Sequence, residues 1–499
     1  MAIDLTTFRK WADTLADLDG MASVLSWDRA VTMPPSGAAS RSYQLETLAA
    51  IAHRELTRPG IGDVLVAIAG DDGLEPATRR EAELLRRERA RAERLPEDLV
   101  RAISAAESET FVAWSSARDA DAWDTVRGPL ARLVDLKRTE ASAIGTGDHP
   151  YDAMLDEYEP GATRATLAPV FGTLADRLAP LVATGAAHAP APMPERYWPH
   201  DRQMQLARDV ARMIGFDLDD GRIGESAHPF TGTLGDGDVR FSTRIDERNP
   251  ISNISTVLHE AGHALYEQGF TRVFTRSALR DAPSLGAHEA QARFWENHVG
   301  GSVEFWRLIE PRMRDLFPDA MDGLTAESLH AQATAVRRSL IRVEADEVTY
   351  NLHVVLRFEL ESALLSGDLP VTDLPYAWNS RMQQLVGITP TSAADGVLQD
   401  VHWMEGMFGY FPTYTLGNLY AAQLADAVDG AVGGLEEAIG HAAFPDIADF
   451  LRTRIYRFGA LVPTAELMER ATGVPFGPDA LLNHLERRAL APLATTAGR

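Results

Sequence analysis

The sequence predicts a mainly α-helical protein with one small β-sheet. Three observations point there. Ala, Leu, Arg and Glu dominate, and apolar residues recur at spacings of three and four, the period of helices with one buried face. One stretch, residues 221–250, breaks that period: it has scattered glycines and a short alternating run from Asp238 to Thr243, the pattern of a strand or hairpin group. No tandem repeat, low-complexity tract or flexible linker divides the 499 residues, so a single domain over 1–499 is expected, with an N-terminal helical part over about 1–100.

The elements follow in order. Residues 5–26 form a first helix, stopped by Pro34, Pro35 and Gly37, and residues 38–56 resume the period. Residues 77–94 carry a run of arginines with few apolar positions. In so acidic a chain this reads as a solvated face laced with Glu–Arg pairs rather than a basic recognition helix. The Pro-Ala stretch 189–199 is the best boundary candidate, though short. After the irregular 221–250, helical pattern returns at Ser252.

Charge and composition exclude several functions. Lys and Arg total 48 against 72 Asp and Glu, a net charge of -24, which repels nucleic-acid backbones and anionic membranes. With no cysteine, disulfides, thiolate catalysis and cysteine-ligated metals are excluded, and any metal must be held by His, Asp and Glu. The first residues are charged throughout, unlike a secretory signal, and no apolar run is long enough to span a bilayer. A cytoplasmic protein is expected.

The strongest local signal is His259-Glu260-Ala261-Gly262-His263, an H-E-x-x-H pattern. Ile254, Val257, Leu258, Ala261 and Leu265 give the segment an apolar helical face, with Ser252 or Asn253 as the expected cap and Gly269 as the stop. One turn apart on one face, His259 and His263 can turn their ring nitrogens to a single tetrahedral ion. Glu260 is rotated about 100° from His259, so it borders that ion without binding it and suits a general base acting on water. A catalytic site of this kind needs a third protein ligand. The stretch GAHEAQARFWENHVG offers His288, Glu289, Glu296 and His298. Glu289 and Glu296, seven apart, share a helix face, and spacing does not choose between them.

Two further segments are informative. AVRRSLIRVEADEVTYNLHVVLRFELESALL reads as one helix on which Arg342, Asp346, Thr349 and His353 form a narrow polar stripe between apolar flanks, a face turned into a cleft. GVLQDVHWMEGMFGYFPTYTLGN, residues 396–418, places His402, Trp403, Tyr410 and Tyr414 among glycines, as a substrate-lining loop would.

Together these residues resemble the carboxypeptidase Taq family of metallocarboxypeptidases. His228-Pro229-Phe230 fits its H-P-F motif, and Asp238 to Ser242 resembles D-x-R-x-T with Ser for Thr. His259 to His263 fits H-E-x-x-H. His288-Glu289-Ala290-Gln291 resembles H-E-[SG]-Q with Ala290 as a departure. Ile341 to Asp346 fits I-R-x-x-A-D, and Gly396 to Trp403 fits G-x-x-Q-D-x-H-W. The resemblance spans nearly the whole chain. It implies a helical metallopeptidase fold with a small sheet beside a deep central groove flanked by the N-terminal helices, and a homodimer. It implies release of C-terminal residues from peptides with a free C-terminus, with broad specificity and C-terminal proline disfavoured. Zinc is the implied metal, with cobalt able to substitute. It also implies His259, His263 and Glu289 as ligands, Glu260 as base, and a missing hydrogen bond near Glu289 where Ala290 stands.

On this reading an arginine holds the terminal carboxylate, with Arg342 the first candidate, braced by Asp346 one turn on, and Arg240 the second. His402 and Tyr410 are candidates to stabilise the oxyanion, and His228 joins the substrate-binding set. Two rivals stand beside it. A zinc endo-oligopeptidase of related helical build would not need a free carboxylate. A non-enzymatic helical interaction protein would carry structural zinc or none.

Overall fold

The computed structural model describes residues 4–496, and helices dominate it. The chain forms two compact units: Met1–Glu93, Met193–Ala333 and Gln423–Pro475 make the first, and Arg94–Pro192, Thr334–Ala422 and Phe476–Arg499 the second. The chain passes from the second to the first at Pro192, inside the Pro-Ala stretch that composition marked as a boundary.

In the first unit the opening helix, Leu5–Val31, runs on past the expected residue 26, because the breakers begin only at Pro34. Trp27 near its end is buried. Helix Ala38–Leu56 packs against it. The arginine-rich helix, Pro76–Arg94, is less solvated than its composition suggests. Glu81 and Arg89 are buried. Glu81 takes a two-pronged contact from Arg9, at 2.7 and 2.8 Å, and Arg89 donates to the carbonyls of Leu56 and Arg58 at 2.7 and 2.9 Å. The Glu–Arg pairs expected along the surface thus reach inward at these two positions.

The irregular stretch is the small sheet. Its strands are β1 (Gly221–Glu225), β2 (Thr231–Gly235) and β3 (Asp238–Thr243), ordered β1-β3-β2. β3 lies parallel to β1 and antiparallel to β2, with Ile223 and Thr231 both opposite Phe241. The alternation read from Asp238 onward puts Val239 and Phe241 into the core, where Phe241 meets Phe216. β3 packs on helix Pro250–Gly269. A buried hydrogen bond of 2.7 Å from Thr243 Oγ1 to Asn253 Oδ1 ties the strand's end to that helix's first turn. The cap is Asn249, not Ser252 or Asn253. Its side chain accepts from the Ser252 N–H, and Pro250 fills the first helical position, where a missing N–H costs nothing.

The second unit is built round helix Glu347–Ser366, apolar and buried on nearly every side. It packs against helices Arg164–Ala187, Leu374–Leu385 and Pro150–Tyr158. The polar stripe expected on one long helix is not there. Between Ala333 and Asp346 the chain is irregular, apart from a single turn at Arg342–Glu344. Asp346 starts the helix instead, accepting from the N–H groups of Val348 and Thr349 at 2.9 and 3.2 Å. A carboxylate that captures orphan backbone donors favours a helix start over a helix interior, so local capping overrides the apolar period.

Glu361, fully buried on this helix, accepts from Trp403 Nε1 at 2.6 Å, from the Gly409 N–H at 3.1 Å and from the Tyr151 hydroxyl. Burial outweighs these donors and pushes its carboxyl up to about 7. The fold therefore binds this proton more tightly than the unfolded chain does. Stability from this group is fullest below the ordinary carboxyl pKa and declines as pH rises toward about 7. Relative to Glu361→Gln, the wild-type protein should lose on the order of 3 kcal/mol between pH 4.5 and 7. Urea midpoints of both proteins at several pH values check this, and a difference that stays constant across the window contradicts it.

Candidate metal centre

Helix Pro250–Gly269 turns Leu258, Ala261 and Leu265 into the core and carries His259 and His263 one turn apart. The two rings stand nearly perpendicular, their centroids 4.9 Å apart. Alongside lies helix Leu285–Arg293, capped by Ser284 Oγ accepting from the Ala287 N–H. The two helices come unusually close. A side-chain carbon at Gly262 would sit 2.7 Å from Ala292 Cα and 2.8 Å from the Gln291 carbonyl, so only glycine fits. On the facing side Ala292, fully buried, adds only a methyl group, and the Trp295 ring closes in at 3.1 Å.

That approach brings Glu289 between the histidines. Its Oε2 lies 3.4 Å from His263 Nε2 and 3.8 Å from His259 Nε2, and the three ligand atoms all fall within 4.8 Å of one another. Atoms that each bind one ion at about 2.0–2.2 Å stand roughly 3.3 Å apart in a tetrahedron, so two imidazoles and a carboxylate here fit a divalent ion such as zinc. Of the two carboxylates that spacing left open, Glu289 is the one in the converging group. Glu296 accepts instead from His259 Nδ1 at 2.9 Å and from Ser255 Oγ at 2.7 Å. His288 faces Glu267 at 2.8 Å and stacks on His263, with centroids 4.4 Å apart, and His298 lies beside Phe294.

The electrostatics suit a cation. Burial disfavours the Glu289 and Glu296 charges, but Arg293 and His259 more than reverse this. Glu289 falls well below the usual carboxyl range and Glu296 to about 2. Burial also opposes a charge on His259, yet these two carboxylates raise it to about 9, whereas burial and the neighbouring His288 lower His263 to about 3. Two ionised carboxylates thus draw positive charge to the point between the rings, which a metal would supply. Glu260, also buried, accepts from Thr231 Oγ1 at 2.8 Å, and burial raises its carboxyl above the ordinary value, the direction a general base needs.

The other predicted residues fall elsewhere. Arg240, on β3, has both prongs of its guanidinium on Asp238, each at 2.7 Å. His228 is exposed and its carbonyl accepts from Ser226 Oγ. Arg342, His402 and Tyr410 belong to the second unit. There Arg342 is buried and is braced not by Asp346 but by Asp400, at 3.1 and 2.9 Å, with Nη1 donating to the Tyr350 hydroxyl at 3.0 Å. Asp346 is spent on capping. Arg357, fully buried, grips the other Asp400 oxygen. His402 bonds the Tyr414 hydroxyl at 3.1 Å, and burial followed by Arg342 lowers it to about 3, so it is neutral. Tyr410 packs edge-on against Tyr158 and Tyr414.

Sequence reasoning missed Arg293, Thr231, Asp400 and Arg357. Arg293 was legible as the i,i+4 partner of Glu289, and Asp400 lies within the Q-D-x-H-W motif, but nothing local joins Thr231 to Glu260.

Known proteins match this arrangement along its length. The description "Carboxypeptidase Taq (M32) metallopeptidase" covers residues 7–489. The chain belongs to the carboxypeptidase Taq family. Its sequence is 39% identical to the thermostable carboxypeptidase 1 of Thermus thermophilus over 97% of both chains, and 31% identical to carboxypeptidase 1 of Bacillus subtilis over 93% of this chain and 94% of that one. The M32 carboxypeptidase of Deinococcus radiodurans superposes with a TM-score of 0.95 at 36% identity, covering 98% of this chain and 99% of the other. As a carboxypeptidase Taq family member, the protein is a metallocarboxypeptidase, a peptide hydrolase with a divalent metal cofactor. At the position where this chain departs from the family's H-E-[SG]-Q pattern, Ala290, the Glu289 carboxylate is held by Arg293, whose Nε donates to Oε1 at 2.7 Å.

The thin helix contact generates a test. Gly262→Ala places a carbon against backbone that cannot rotate away, so the helices must part. Affinity for a divalent metal should fall about tenfold in a chelator competition, with a lower melting temperature. Unchanged affinity would show that the ligands tolerate a wider spacing.

Proposed function

We propose that the protein releases C-terminal residues from peptides through a zinc ion held by His259, His263 and Glu289, with Glu260 as general base. The convergence of those three side chains beside a buried carboxylate is the observation that carries the reading. A divalent ion in that cluster supplies Lewis acidity, polarising the scissile carbonyl and making water a nucleophile near neutral pH. Glu260, its Oε2 steadied by Thr231, takes the proton of the attacking water and passes it to the leaving amine. The family resemblance supports zinc over other ions with cobalt as a substitute, broad specificity with C-terminal proline disfavoured, a homodimer, and residues 1–499 acting as one catalytic domain; a cytoplasmic setting rests on the composition instead. Among the described residues, no helix is long and apolar enough to cross a membrane.

Arg342 recognises the terminal carboxylate in this reading. Two buried guanidinium groups, Arg342 and Arg357, share the single carboxylate of Asp400, and His402 and His353 are both held neutral by burial. The cluster keeps an excess positive charge that an anionic substrate end would balance. Arg342 has five N–H donors and commits three groups, so donors remain for a carboxylate. Arg240, engaged with Asp238, is the second candidate. His402 and Tyr410 are offered as oxyanion donors, and His228 as a further substrate contact.

Glu260→Gln should keep zinc content and fold while turnover falls about 10²–10⁴-fold. Glu289→Gln should lose the metal, and the reverse pattern would exchange the two roles. Arg342→Ala should lower kcat/KM for free peptides by tens to thousands of fold and narrow the preference for free over C-terminally amidated peptides, with zinc content unchanged. A wild-type preference ratio in that variant would move the carboxylate contact elsewhere.

A further inference from the structure

A second carboxylate stands behind the converging group and is not part of it. Glu296 Oε2 lies 2.9 Å from His259 Nδ1 and 3.0 Å from Arg293 Nη1, and Oε1 accepts from Ser255 Oγ at 2.7 Å. His259 Nε2, on the opposite edge of the ring, faces Glu289. Arg293 joins the two carboxylates, with Nε on Glu289 at 2.7 Å and Nη1 on Glu296. Glu289, Arg293 and Glu296 sit on one continuous helical run, but that run changes form. After Arg293 it widens into a π-helix, Phe294–Val299, closed by the Gly300 N–H on the Trp295 carbonyl at 2.9 Å. Such turns are rare and gather at functional sites. Gly300 permits this one, because a side-chain carbon there would meet Leu258 at 2.5 Å and the Glu296 carbonyl at 2.5 Å.

We propose that Glu296 is a positioning residue for the metal centre: it holds His259 with its proton on Nδ1 and so leaves the Nε2 lone pair for the ion, while Arg293 keeps Glu289 and Glu296 in their separate roles. A neutral imidazole carries one N–H and one lone pair, and the hydrogen bond at one nitrogen decides the other. An acceptor-only carboxylate at Nδ1 permits one tautomer. The bond also sets the ring plane and makes Nε2 more basic, which tightens metal binding. The π-helix is the device that lets two carboxylates seven residues apart do different work: one enters the converging group and the other passes behind the ring. This rests on the ligand assignment proposed above.

The test uses full-length protein loaded with zinc, and with cobalt for spectroscopy. Glu296→Ala should weaken zinc binding about 10–100-fold in a chelator competition. Glu296→Gln keeps an acceptor carbonyl and should lose clearly less. In the cobalt protein, each ligating histidine gives one strongly shifted, exchangeable ring N–H proton. The His259 signal should vanish into solvent exchange in Glu296→Ala and persist at a changed shift in Glu296→Gln, while the His263 signal stays in both. Wild-type affinity with both signals intact in Glu296→Ala would overturn the proposal. So would a metal loss in Glu296→Gln as complete as in Glu289→Gln, since glutamine can replace an acceptor but is a poor ligand. Should Glu296→Ala fail to fold, the Gln variant alone decides. His259→Ala separates the two layers: if it leaves zinc bound, the ligand assignment fails; if it loses zinc while Glu296→Ala does not, only the positioning role fails.

Discussion

The close approach of helix Pro250–Gly269 to helix Leu285–Arg293 is the constraint on which the centre depends. At Gly262 there is no room for a side-chain carbon, because the Ala292 backbone, the Gln291 carbonyl and the Trp295 ring already crowd it. A helix pair with ordinary side chains at its contact keeps its axes about 8–10 Å apart. Glu289 has a short reach, and its Oε2 already stands 3.4 and 3.8 Å from the two Nε2 atoms. Any widening of the helix pair would be spent directly out of those distances. The glycine between the two histidines of the motif therefore sets the geometry of the converging group.

Burial makes the same region electrostatically demanding. Glu260, His263 and Glu289 are all buried, and unpaired charges at such positions are strongly disfavoured. The fold meets this with interlocked pairs: Arg293 across Glu289 and Glu296, Ser255 on Glu296, Thr231 on Glu260, and His288 on Glu267. Glu289, Glu296, Glu260 and Glu267 each have a donor, and Glu289 also turns an oxygen toward the converging nitrogens, a group that could hold a cation. The second unit uses the same device in reverse. Asp400 anchors two buried arginines, and positive charge is left over.

Much of this was legible before any coordinates. The helical class, the small sheet over 221–250, the breakers after the first helix and the H-E-x-x-H helix all follow from local pattern, because helix period, proline and glycine act over a few residues. Errors came where a side chain had a choice of partner. Helical spacing offers Asp346 as a brace for Arg342, but in the fold it caps a helix that begins one residue later. Composition predicts a solvated face for Glu81 and Arg89, but tertiary partners draw them inward.

Sequence alone determined the class of fold, the pair of histidines one turn apart, the glutamate beside them and the short list of carboxylates that could join them. These depend on spacing along one helix, which 3.6 residues per turn makes calculable. Spacing did not separate Glu289 from Glu296; the family resemblance implied Glu289, and the tertiary structure shows the physical difference between them. Both lie on the same run, seven apart, and an ideal helix would present them on one face. The π-turn after Arg293 and the contact at Gly262 send one toward the histidine Nε2 atoms and the other to His259 Nδ1. That decision is made by the packing of a second helix, and no local period encodes it.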